Sequence, residues 1–175
     1  DRRGIRSGLA SLIGPNAFDY WFWRSCWLRY LNDGVYGELM PGALEALRSL
    51  RGEGRLIVMA TGREVESRLL TPELARYGIL GLLDGYMALG DLGPDYSKGD
   101  LLKRILDIYN NGSVKGAVYV TDHPRDIEVC RSMGLLSIGV LNRWVKELNA
   151  DKVIENLMDL PKAVKELEED SYLTT

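Results

Sequence analysis

From residue 41 onward, apolar positions alternate between helix-spaced stripes and short unbroken runs. Pro41-Gly42 leads into Ala43 to Leu50, where Leu44, Leu47 and Leu50 share one face and predict an amphipathic helix closed by Gly52 and Gly54. Leu56-Ile57-Val58-Met59-Ala60 follows with no polar residue, the pattern of a strand buried on both faces, and stops at Thr61-Gly62-Arg63. Helical spacing resumes over Glu64 to Leu70 and again over Pro72 to Tyr77, where Gly78 ends it. Leu80 to Leu83 and Tyr86 to Leu89 predict a loop and an edge strand. Lys98 then precedes a helix from Leu101 to Tyr109, with Leu101, Leu102, Ile105 and Ile108 facing inward. The run Ala117-Val118-Tyr119-Val120 predicts the next strand, which breaks at Thr121-Asp122. Pro124 opens a helix to Met133, Gly134 stops it, and Leu136 to Val140 is a further strand. Helices over Trp144 to Leu148 and Leu160 to Glu168 flank a short apolar piece at Lys152 to Ile154. Strands alternating with helices predict an α/β fold with a parallel sheet.

Residues 1 to 38 follow another pattern. Ile5 to Ile13 reads as a short helix and Gly14-Pro15-Asn16 as a turn. Ala17 to Leu31 then holds seven aromatic residues in fifteen, spaced for a helix with two apolar faces, so it is expected to be covered on more than one side. The chain therefore divides into a small helical segment, 1–38, and an α/β core, 39–175. The aromatic helix suits a packed appendage, a lid, a substrate wall or a dimer surface, since Trp and Tyr favour interfaces.

Composition removes several classes of function. A net charge of −3 gives no electrostatic argument for nucleic acid or an anionic membrane as partner. No apolar run reaches membrane-span length. Cys26 and Cys130 make no disulfide framework or metal-spaced cluster, so a cytoplasmic setting is expected. His123, the single histidine, cannot build a multi-histidine zinc site.

The candidate chemistry lies where the predicted strands end. Asp122 and Asp126 fall at and just past a strand end, the edge at which open parallel sheets bind ligands. Paired carboxylates there suit Mg²⁺, which takes hard oxygen ligands; they also suit a polar loop with one acid capping a helix. Thr61 with Gly62 fits a phosphate contact, a hydroxyl beside a residue that lets the backbone approach, and equally an ordinary helix cap.

The order of these features is specific. Thr-Gly-Arg at one strand end, then SKGDLL, then TDHPRD at a second strand end resembles the haloacid dehalogenase-like (HAD) superfamily, mostly Mg²⁺-dependent phosphatases that work through an aspartyl-phosphate. The resemblance runs from about Pro41 to Val164 and takes in PGALEALRSL, ATGR, MGLLSIGV and KVIENLMDLPKAV. It implies a three-layer Rossmann-like core with a small helical cap at residues 1–38. It also implies that Thr61 and the Gly62 N–H hold the phosphoryl group, that Lys98 offsets charge on it, that Asp122 is a direct Mg²⁺ ligand, and that Asp126 is its companion. Thr121 stands where the family commonly has glycine, and His123 where the family varies.

The family's first strand ends in Asp-x-Asp-Gly-Thr, whose first Asp is the nucleophile. No such motif occurs in this sequence. It is expected just ahead of Asp1, which would make the protein a phosphomonoester hydrolase; the alternative is a non-catalytic HAD-like binding or structural module that lacks the nucleophile. The resemblance places residues 1–38 where the family inserts its cap. The expected substrate is a small phosphorylated metabolite, with Arg24, Trp21 and Trp23 as the nearest cap contacts, and the aromatic segment 17–31 is one surface that a second copy of the chain could cover.

Overall fold

The computed structural model describes residues 9–173. Asp1 and the start of the helix expected over residues 5–13 lie outside them, and residues 9–13 are helical. The elements run α1 (Tyr20–Asp33), α2 (Ala43–Gly52), β1 (Val58–Thr61), α3 (Thr71–Arg76), β2 (Gly85–Ala88), α4 (Lys98–Tyr109), β3 (Val118–Thr121), α5 (Pro124–Met133), β4 (Leu136–Val140), β5 (Lys152–Ile154) and α6 (Leu160–Leu173). Every strand pair is parallel. The result is the expected α/β Rossmann-like core with a helical cap. The chain forms two compact units, Asp1–Glu38 with Val58–Leu101 and Leu39–Ile57 with Leu102–Thr175.

In the first unit β1 pairs with β2, from Val58 opposite Gly85 to Thr61 opposite Ala88. Val65, Leu70, Leu74, Ile79, Ala88 and Leu89 are buried there. Gly90 donates its N–H to the Arg63 carbonyl at 3.0 Å, and its α-carbon lies so close to the Val65 backbone that a Cβ would sit 2.5 Å from the Val65 nitrogen. Rigid backbone cannot swing away as a side-chain tip can. Gly90→Ala is therefore expected to cost about 2 kcal/mol, the middle of the range for overpacking, read as a lower urea midpoint.

Three expectations need correction here. Glu64 to Glu66 is not helical, and the segment begins only as a 3-10 turn at Ser67–Leu70. The backbone of Arg63 and Val65 is pressed against Gly90, and the Ser67 N–H is capped by Asp91 Oδ1 at 2.8 Å rather than by a preceding turn. Helix α1 begins at Tyr20, after Asp19, whose Oδ1 accepts the Phe22 N–H at 2.5 Å, and ends at Gly34 in the left-handed region. It is not covered on two sides: none of its residues is fully buried.

In the second unit the order is β3-β4-β5. Ile138, Val140 and Ile154 of this sheet pack with Ala46 and Leu50 of α2 and with Leu160, Ala163 and Leu167 of α6. Helix α5 starts at Pro124, buries Ile127 and Cys130, and stops at Gly134, φ 69°, as its sequence requires. Ile108 of α4, expected to face inward, is half exposed; Leu106 takes the buried position. The helix expected over Trp144 to Leu148 does not form. Asn142 holds that segment in a turn, its Oδ1 accepting the N–H groups of Trp144 at 2.8 Å and Val145 at 2.9 Å.

Candidate functional site

In the first unit Thr61 ends β1, and Gly62 follows in irregular backbone. The Arg63 N–H reaches Thr61 Oγ1 at 3.4 Å, which occupies a lone pair of that hydroxyl and leaves its proton to donate elsewhere. Lys98, the first residue of α4, donates from Nζ to the Ala60 carbonyl at 3.3 Å. One strand end thus assembles a hydroxyl, the glycine after it and an ammonium group. These are three of the residues singled out from sequence.

Beside this strand end, α1 is fastened to the segment after Thr61 by a network that sequence reasoning missed. Arg24 donates to both Glu66 oxygens, at 2.7 and 2.9 Å, and to the Glu64 carbonyl at 3.2 Å. The Arg24 hydrogen bonds hold the Glu66 carboxyl below the usual carboxylate range. Trp27 donates its indole N–H to Glu64 Oε2 at 3.0 Å. Arg63 pairs with Glu73 while its guanidinium lies 4.8 Å from the Trp27 ring centre and 5.4 Å from that of Tyr30. Tyr30 and Tyr77 each donate to Glu73 Oε1 at 3.1 Å. Burial would push the Glu73 carboxyl up, but Arg63 and the two hydroxyls outweigh it and hold it low. Burial, followed by the Glu73 charge, drives the Tyr77 hydroxyl well above its ordinary range. The sequence signal was the helical spacing of Trp23, Trp27 and Tyr30, but the acids they meet lie about forty positions away. Of the cap residues named from sequence, Arg24 is engaged as above, Trp23 donates its indole N–H to the Ala17 carbonyl at 2.9 Å, and Trp21 is 61% exposed.

In the second unit Thr121 ends β3 and is buried. Its hydroxyl accepts the His123 N–H at 3.1 Å and donates to Asp126 Oδ2 at 3.4 Å. A hydroxyl at this position therefore orders the strand-to-helix turn, which a glycine could not do. Asp126, in the first turn of α5, also accepts the Tyr119 hydroxyl at 3.2 Å. Burial, then the Asp126 charge, drives that hydroxyl far above its ordinary range, so Tyr119 stays a donor. Asp122 is exposed, and its Oδ2 accepts from Asn142 Nδ2 at 2.9 Å. Asn142 is a further residue that sequence reasoning missed; an Asn just past a strand end was the available sign.

The donors at Asp122 and Asp126 are carboxylate oxygens at the carboxyl end of a parallel strand, the kind that Mg²⁺ takes. Among the described residues no group of three acidic, histidine or cysteine side chains could hold a metal. Mg²⁺ keeps several waters and is commonly held by one or two carboxylates.

No protein-family model matches the chain, and no curated protein matches it. Solved structures do. A conserved haloacid dehalogenase-like protein of unknown function from Agrobacterium tumefaciens str. C58 superimposes with a TM-score of 0.61 at 22% identity, over 75% of this chain and 62% of that one. The fold is that of the haloacid dehalogenase-like proteins. A 2-haloacid dehalogenase from Pseudomonas syringae pv. Tomato DC3000 matches at 0.60 and 19% identity, over 95% of this chain and 80% of that one. A candidate phosphatase from Clostridium difficile matches at 0.61 and 19%, over 72% of this chain and 60% of that one, so this chain spans less than two thirds of its length. The last two carry the names of different reactions, so the shared fold does not choose the chemistry. Among the described residues no helix is long and apolar enough to cross a membrane.

Proposed function

We propose that this chain belongs to a Mg²⁺-dependent phosphomonoester hydrolase that works through an aspartyl-phosphate. The observation that supports it most is the bond from the Lys98 ammonium to the Ala60 carbonyl, which fixes a cation at the end of the strand that Thr61 closes. Phosphoryl transfer is catalysed chiefly by positioning and fixed positive charge, and this strand end offers both. The Thr61 hydroxyl, with a lone pair already taken by the Arg63 N–H, donates its proton to a phosphoryl oxygen. The Gly62 N–H serves a second oxygen, and Lys98 offsets the charge on the group. Asp122 would hold Mg²⁺ through the oxygen that Asn142 does not bond, with Asp126 its companion; the ion, when bound, neutralises phosphoryl charge. An aspartate nucleophile, which the resemblance to the superfamily implies, would complete the set. The substrate is a small phosphorylated metabolite, and the protein works in the cytoplasm.

Trp21, with most of its surface open, is the cap residue best placed to wall a substrate or to meet a second copy of the chain. Arg24 acts through Glu66 to hold the cap helix. Arg24→Ala releases that anchor and is expected to lower kcat/KM about tenfold through looser positioning. Steady-state kinetics would check this, and no loss would mean that α1 only packs.

The test is phosphate release by full-length protein from phosphorylated sugars, nucleotides and three-carbon acids, with and without Mg²⁺. Turnover of at least one, only with Mg²⁺, is expected. Hydrolysis of none, a generic aryl phosphate included, contradicts the proposal.

A further inference from the structure

The loop after β4 carries two groups that the proposed reaction does not use. Trp144 is 78% exposed, and the Arg143 guanidinium lies 4.5 Å from its ring centre. A single exposed tryptophan is ordinary. This one differs in how it is held and where. Asn142 clamps the loop from within, through Trp144 N–H, Val145 N–H and its own N–H to the Val145 carbonyl at 3.0 Å. The same side chain donates to Asp122 at 2.9 Å, so one residue sets both the loop and the proposed metal-binding acid. Leu141 fixes the loop's start by donating to the Ile154 carbonyl at 2.8 Å, and the buried Leu148 fixes its end. The loop leaves the carboxyl end of β4, which runs parallel to β3 in register with Thr121 opposite Gly139. That edge is where such sheets bind ligands.

We infer that Arg143 and Trp144 form a subsite for the leaving group of the substrate, and that this group contains a flat aromatic ring such as a nucleobase. A guanidinium over one face of an indole leaves a preformed stacking surface, and its rigidity lowers the ordering lost when a planar ring joins it. A planar aromatic ring meets the indole face with more atoms than a puckered aliphatic ring does. The assignment of the phosphate end to Asp122 rests on the hydrolase reading; the stacking subsite itself does not.

Two ligands that differ only by the base provide the test: adenosine 5′-monophosphate and ribose 5-phosphate, titrated calorimetrically into full-length protein with Mg²⁺. Wild type is expected to bind the nucleotide about tenfold more tightly, within the range for one base stacked on an aromatic side chain. Trp144→Ala, an exposed position that leaves the core untouched, should weaken the nucleotide to the level of ribose 5-phosphate and leave ribose 5-phosphate unchanged. Equal affinities in wild type, an undiminished preference in Trp144→Ala, or no binding of either ligand would overturn the subsite. Phosphate release measured in the same solutions reports on the hydrolase separately. Preference without turnover keeps the subsite and removes the hydrolase, while turnover without preference does the reverse.

Discussion

Replacing Glu73 by alanine is expected to destabilise the protein by about 3 kcal/mol, the lower end for removing one partner of a buried ion pair. Glu73 is 3% exposed and is the common acceptor for Arg63, Tyr30 and Tyr77. Without it a guanidinium packed against two rings loses its counter-charge, and two hydroxyls lose their acceptor. Glu73→Gln keeps an acceptor oxygen and removes only the charge, so it should fall between wild type and Glu73→Ala. Urea denaturation followed by tryptophan fluorescence would report the loss, because Trp27 lies against Arg63. A change below about 0.5 kcal/mol, the level of an ordinary surface substitution, would mean that this cluster does not hold α1.

The same carboxylate sets the direction of an acid effect. Its folded-state pKa is depressed, so its contribution is fully present above the unfolded glutamate value of about 4.3 and is lost as pH falls through the lower folded value. Glu66 is held low for the same kind of reason and adds to the effect in the same window. Stability should therefore decline from about pH 4 downward, and Glu73→Gln should flatten that decline.

The second large effect is on catalysis. Lys98→Ala is expected to lower kcat about 10²- to 10³-fold with little change in KM, as when one preorganised donor to developing charge is removed. Its ammonium is held by the Ala60 carbonyl and is therefore already oriented before substrate arrives. Steady-state kinetics on full-length protein would measure it. A rise in KM with kcat unchanged would make Lys98 a ground-state binding residue instead.

The parts of this structure that were legible in the sequence are those decided by local chemistry. Pro124 and Gly134 bound α5 as read, since proline suits the first helical position and a helix stop at φ 69° favours glycine. The strand ends at Thr61 and Thr121 were readable from where apolar runs stop. Positions set by distant partners were not readable. Helical spacing over Glu64 to Leu70 was genuine, yet Gly90 and Asp91 claim the backbone there. The spacing of Trp144 to Leu148 was overridden by one Asn142 side chain that satisfies the backbone in a turn. The aromatic richness of α1 suggested burial on two sides, whereas its indole and phenol donors seek the carboxylates of Glu64 and Glu73, which leaves the helix partly open.

The most direct test of the central claim is the covalent state of the enzyme during turnover. Full-length protein mixed with a substrate and Mg²⁺, quenched in acid and examined by intact-mass and peptide mass spectrometry, should carry one phosphoryl group on an aspartate, removable by hydroxylamine. Phosphate release with no phosphorylated protein, or a phosphoryl group on a residue other than aspartate, would contradict the account.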